Sequence, residues 1–348
     1  MTWVAFRQIR MSTAVSAALV LAAGLLLGVT GPHLSHLYAA LRSCSGLSCG
    51  ADSSELSRAD LHVRLIGPAL VAVPLVLGVF LGAPLVSREL ESGTYRLAWT
   101  QSVSRTRWLV TRIGVGALVV ALAAGLLTFA FTWWSIPLDH TDTSRIDPAI
   151  FSQRGIVPVA YALFAYALGV AAGAVLRRTL AAMAVTLGGF VAVRMVMQLV
   201  VRQHLLTPLT KAVALTPRTP VDLMRTSNGV QKLVPHSPDI GHAWTLGTTL
   251  ADSSGHPPTS AFIRQACSAI MSIKPPASGI RKSGPPPPQV LAAVRSCVHN
   301  VGLSYHEVVS YQPASRFWAF QWLESAIFVG LAVALLGLAV YWVRRRLV

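Results

Sequence analysis

The chain has 348 residues, a mean hydropathy of +0.56, 53% hydrophobic residues and only 12% charged ones. A soluble protein of this size carries about twice that charged fraction, so a water-soluble globular enzyme is excluded and an integral membrane protein is implied. The formal charge of +16 does not point to nucleic acid, because no basic run is interleaved with stacking aromatics.

Taken in order, residues 1–11 are short and place Arg7 and Arg10 ahead of an apolar run. Residues 12–30 hold no charge and are long enough to cross a bilayer. A cleavable signal peptide is the competing reading, and the long apolar core favours a retained helix. Residues 31–64 are polar with balanced charges and include Cys44 and Cys49. A second span is expected over 65–86, kinked by Pro68, Pro74 and Pro84.

Residues 87–112 follow, with the sequence SRELESGTYRLAWTQSVSRTRWLVTR. They carry five arginines and the acids Glu89 and Glu91. The apolar residues Leu90, Tyr95, Leu97, Trp99 and Trp108 are too loosely spaced to span a membrane and suit a helix lying along its surface. Further spans are expected over 113–136, which ends in the aromatic pair Trp133–Trp134, then 155–176, 179–201 and 317–343. The loop 137–154 carries Asp139, Asp142 and Asp147 at a spacing that fits no calcium loop, and reads as a solvated turn. Arg177 and Arg178 form a two-residue hinge, and Gly169, Ala172 and Gly173 offer a face for close helix packing.

The expected fold is therefore an all-α polytopic membrane protein with six transmembrane helices. Residues 1–201 hold helices one to five, 202–316 form a small, partly irregular exterior domain, and 317–348 hold helix six and a basic tail. Twelve arginines (7, 10, 88, 96, 105, 107, 112, 177, 178 and 344–346) fall in the segments this topology places inside, against only two acids, Glu89 and Glu91. That asymmetry puts both termini in the cytoplasm; the expected location, the plasma membrane, goes with a resemblance carried by residues 88–105. Within 202–316, residues 205–215, 261–273 and 289–298 read as short helices and 303–311 as a possible strand; Pro275–Pro276 and Pro285–Pro288 read as stiff spacers.

The order of parts around Glu89 and Glu91 carries a resemblance. A membrane helix, Arg-Glu-x-Glu-x-Gly-Thr (Arg88 to Thr94), a short amphipathic piece ending Val103-Ser104-Arg105, a Trp and the next membrane helix resemble the cytoplasmic coupling segment of ABC-2-type exporter permeases, in a bacterial branch. The resemblance implies a permease subunit of an ATP-driven ABC exporter. Its partners would be a separate cytoplasmic ATP-binding subunit and a second permease subunit, identical or homologous, in the lipid bilayer. Glu89, Glu91, Gly93, Thr94, Arg96 and Arg105 would form the ATPase-coupling segment. The alternative is a polytopic sensor or anchor whose exterior domain binds a ligand or protein, which accounts better for residues 202–316 and worse for the Glu-x-Gly-Thr segment.

The chemistry of an enzyme is missing from the sequence. No Gly-x-x-x-x-Gly-Lys-Ser/Thr loop is present, so ATP hydrolysis is expected on a partner chain and no cofactor on this one. His306-Glu307 begins like a zinc-protease signature, but Ser310 stands where the second histidine belongs. The histidines 204, 236, 242, 256, 299 and 306 lack ligand spacing, so no metal is expected. Two ionisable residues, Arg194 and Glu324, fall inside expected spans at similar depth and are expected to pair, the alternative being that each snorkels outward separately. All four cysteines lie on the expected exterior side; among three connectivities, Cys44–Cys49 with Cys267–Cys297 is preferred, with free buried thiols as the alternative.

Overall fold

The computed structural model describes residues 14, 18, 20–33, 35–36, 39, 72–92, 105–136, 144–217, 219–226, 229–235, 240, 242–271 and 287–346. Cys44, Cys49, Gly93, Thr94, Arg96, Asp139, Asp142 and His236 lie outside them. The chain divides into two compact units, residues 1–206 with 315–348, and residues 207–314.

The first unit is a helix bundle. Its helices are α1 (Val20–His33), α2 (Ala72–Glu91), α3 (Arg105–Trp134), α4 (Val157–Leu176), α5 (Thr179–His204) and α8 (Phe317–Arg346). Five of them are long and apolar enough to cross a membrane; α1 is apolar but shorter among the described residues. The chain is thus a mostly helical, multi-pass membrane protein.

Helix α4 is the axis. It is rich in alanine and glycine and buried over most of its length, and α2, α3, α5 and α8 all pack against it. The small residues explain how neighbours come so close. A Cβ at Gly169 would stand 2.6 Å from the Ala83 amide nitrogen, and one at Gly173 would stand 2.7 Å from the Ala83 carbonyl oxygen. The core beside this contact is aliphatic, with Leu77, Leu81, Leu85, Leu109, Ile113 and Val170 buried together. Facing outward are apolar stripes, for example Leu118, Leu122, Leu126 and Phe129 on α3 and Trp318, Trp322 and Val333 on α8. A bundle with apolar residues on its outside as well as its inside is solvated by lipid rather than water.

Three features of this unit depart from the sequence expectation. Both α2 and α3 extend past the apolar runs, so the ends of residues 87–112 continue the membrane helices without a break. Residues 144–156 are not a solvated turn: Ile146, Ile150, Phe151, Ser152 and Arg154 are buried, and Pro148–Phe151 forms one helical turn. Helix α5 runs on to His204, so Arg202 belongs to the bundle and not to the inserted segment.

The second unit holds both helices and strands, four of the strands being beyond the possible one expected over 303–311. Its strands are β1 (Leu209–Val213), β2 (Val221–Thr226), β3 (Gly229–Pro235), β4 (Trp244–Ala251) and β5 (His306–Gln312). Antiparallel pairing gives a three-stranded sheet in the order β1-β5-β4 and a hairpin of β2 with β3. The helix expected over 205–215 is instead β1, where residues 209–213 pair antiparallel with residues 307–311 of β5. Helices α6 (Ser260–Ala266) and α7 (Pro288–Gly302) supply apolar faces. Thr259 caps α6 by accepting a hydrogen bond from the Phe262 amide. A disulfide joins Cys267 to Cys297, and both cysteines lie in a core with Leu215, Leu233, Leu250 and Val298.

Candidate functional site

Two constellations in the bundle carry chemistry beyond packing. The first is a buried charge cluster where α4, α5, α8 and the turn before α4 meet. On α8 the buried residues Phe317, Gln321, Glu324 and Phe328 recur at helical spacing, so one face presents a carboxylate and an amide among aromatics. On α5 the buried positions are Ala182, Thr186, Phe190, Arg194, Met197 and Arg202. The last step, from Met197 to Arg202, coincides with a π-helical turn over Met197–Val201. Residues eight apart on an α-helix point roughly 80° apart. A π turn absorbs one residue and brings Arg194 and Arg202 to one face.

Arg202 grips Glu324 bidentately: its Nε donates to Oε2 at 2.9 Å and its Nη2 to Oε1 at 2.9 Å. This planar, two-bond geometry is the strong form of the ion pair. Glu324 is 0% exposed and Arg202 1%. Arg194 stands further off, with Nη1 at 3.9 Å from Glu324 Oε1. It reaches the carboxylate through Tyr161 of α4, donating to the Tyr161 hydroxyl at 3.0 Å, while that hydroxyl donates to Glu324. The Arg194 guanidinium also lies over the Tyr161 ring, 4.1 Å from its centroid. Arg202 Nη2 additionally donates to Ser152 Oγ at 3.1 Å.

Beside this cluster Gln321 ties α8 to the start of α4. Its Oε1 accepts from the amides of Ile156 and Val157, both at 2.9 Å, and its Nε2 donates to the carbonyls of Phe151 and Arg154. Two of the orphan amides that any helix start leaves are thereby satisfied inside the bundle. The sequence points to Arg194 and Glu324 but not to Arg202, Tyr161, Ser152 or Gln321. Nothing in the hydropathy marks the π turn, and Arg202 falls just past the apolar run.

The second constellation is at the C-terminal end of α2. Glu89 pairs with Arg112 of α3, which is buried. Glu91 reaches the first residue of α5: its Oε2 accepts from the Thr179 amide at 3.1 Å and from the Thr179 hydroxyl at 2.7 Å. No side chain of the preceding turn caps α5, so Glu91 serves as its cap from a different helix. Ser87 Oγ lies 3.1 Å from Thr179 Oγ1. The turn that brings Thr179 here is tight, with Arg177 in the left-handed region at φ 56°. Thus α2 is tied to α3 by one acid and to α5 by the other. Arg105 begins α3.

The family described as ABC-2 membrane transporter related matches residues 17–202. That is more than half of the chain, and it takes in α1 to α5. The chain belongs to the ABC-2-related membrane transporters. The matched range contains the whole α2–α3 segment with both acids and ends on Arg202. No curated protein and no solved structure matches the chain. Among the described residues of this ABC-2-related protein, no group of three or more His, Cys, Asp or Glu side chains could hold a metal ion.

Proposed function

We propose that this ABC-2-related protein is the permease subunit of an ATP-driven exporter in a bacterial plasma membrane. A separate cytoplasmic subunit hydrolyses ATP, and a second permease subunit completes the path. Family membership supports a transport role. The observation that carries the mechanism is the double tie from α2 to α3 through Glu89–Arg112 and to α5 through Glu91–Thr179.

The ATPase docks on residues 93–104 between α2 and α3, and its closure pushes on that segment. Because α2 and α3 continue into the segment as helices, the push becomes a tilt of both. Glu91 passes the same displacement to α5, while the Arg202–Glu324 clamp at the other end of the bundle acts as the fixed point. Glu89 and Glu91 therefore act as ties between helices. Purification of the protein from its native membrane in mild detergent tests the reading. An ATPase subunit is expected to accompany it in near-equal amount, and purification without any ATPase sinks the exporter assignment.

A further inference from the structure

Helix α2 leaves α-helical geometry over Gly78–Gly82. These residues form a π turn, in which the Ala83 amide donates to the Gly78 carbonyl five residues back. Pro84 follows directly. A proline inside a helix has no N–H for the ladder, and its ring crowds the carbonyl four residues earlier, here that of Phe80. A turn widened by one residue makes room for that ring. The irregularity expected from Pro84 takes this form, and prolines and π turns are among the few places where a helix bends sharply.

The same turn lies where α2 and α4 touch backbone to backbone. A Cβ at Gly78 would collide with Ala165, and one at Gly82 would stand 2.5 Å from the Tyr166 carbonyl oxygen. From the other side, Gly169 of α4 faces the Ala83 amide just as closely. A contact made by glycine backbones has no interlocking side chains that a change of angle must repack. The two parts of α2 are anchored differently. Residues 72–77 are AVPLVL, and Leu77 joins the aliphatic core. Residues 83–91 are bolted to neighbours by polar ties, Glu89 to Arg112 of α3 and Glu91 to Thr179 of α5. They therefore move together with the starts of α3 and α5.

We propose that the π turn of α2 is a hinge, on which residues 83–91 swing against α4 and carry the starts of α3 and α5 with them. The ATP-driven stroke that this hinge would serve rests on the transport reading; the bend itself does not.

The full-length protein in lipid nanodiscs, with no ATPase present, tests this by electron–electron double resonance. Spin labels are carried by noncanonical amino acids, so the native cysteines stay untouched. One pair replaces Arg88, beyond the turn, and Leu338 on α8, both exposed. The other replaces Ala72, before the turn, and Trp322 on α8, also exposed. The 88–338 distance distribution is expected to be broader than the 72–322 one. A π turn is an α-helix with one residue too many. Deleting Phe80, which is 57% exposed, together with Pro84→Ala makes α2 a continuous α-helix with both parts in register. That variant is expected to keep the parental Tm and to narrow the 88–338 distribution to the width of the 72–322 one. Equal widths in the unmodified protein, or an 88–338 distribution that stays broad in the variant, overturn the hinge. If the variant does not fold, the comparison of the two pairs in the unmodified protein decides. Because none of these outcomes involves an ATPase, failure of the hinge is distinct from failure of the transport reading, which co-purification tests.

Discussion

At the scale of single residues, Arg202 and Glu324 dominate. A buried pair stripped of one member leaves an uncompensated charge, at a cost of about 3–5 kcal/mol. Arg202→Leu is accordingly expected to lower thermal stability in detergent far more than Arg194→Leu, whose 3.9 Å approach is indirect. The double variant Arg202→Leu/Glu324→Leu should be much less damaged than the two single losses summed; additive losses would remove the clamp from the account. Glu307 in β5 is a second buried acid, and its Oε1 makes no hydrogen bond. Burial alone pushes its carboxyl above the usual range. A carboxyl raised on folding contributes stability that is fully present below its unfolded value and lost as pH rises through the folded one. Glu307→Gln is therefore expected to flatten the fall in Tm from acid to neutral pH, and an unchanged pH profile would show that the group titrates normally. Which residues matter was only partly legible in sequence. Charge inside an apolar run marks Arg194 and Glu324, whereas Tyr161, Ser152 and Gln321 become functional only through tertiary placement.

At the scale of elements, α2 and its two acids connect packing to function. Glu89→Ala leaves the buried Arg112 without its carboxylate, and Glu91→Ala removes the cap on α5. Each tie is one contact among the many that hold α2 in the bundle. Membrane insertion is thus expected to survive both substitutions, while ATP hydrolysis in the reconstituted complex no longer drives transport. Transport at the parental rate in both variants would reduce these ties to local packing. The helices themselves were readable from hydropathy, since long uncharged runs permit little else. Their ends were not, because α2 and α3 continue through polar residues such as Arg88 and Arg107 that an apolar-run criterion cuts off. The burial of 144–156 was hidden too, because Gln321, far away in sequence, meets the Phe151 and Arg154 carbonyls. The strands of the second unit are short and broken by polar and proline residues, and β1 gains its form from pairing with β5.

At the scale of the whole molecule, the arginine asymmetry predicts one orientation. Alkaline phosphatase fused after Val348 should be inactive and a fluorescent protein at the same point bright, with the reverse for fusions within the loop just before Ser260. Phosphatase activity at the C-terminus would invert the topology and place residues 93–104 out of reach of any ATPase. The second unit also begins and ends on adjacent strands. Leu209, five residues after α5, is the register partner of Tyr311, six residues before α8. Neighbouring strands lie about 4.8 Å apart, so the entry and exit of the insertion stand side by side, like the two legs of a staple. An insertion held in this way is a detachable cassette. Replacing 209–311 with a short Gly-Ser linker is expected to leave a monodisperse helical bundle that still binds its ATPase, and aggregation of that excised form would mean the insertion is part of the bundle's own foundation.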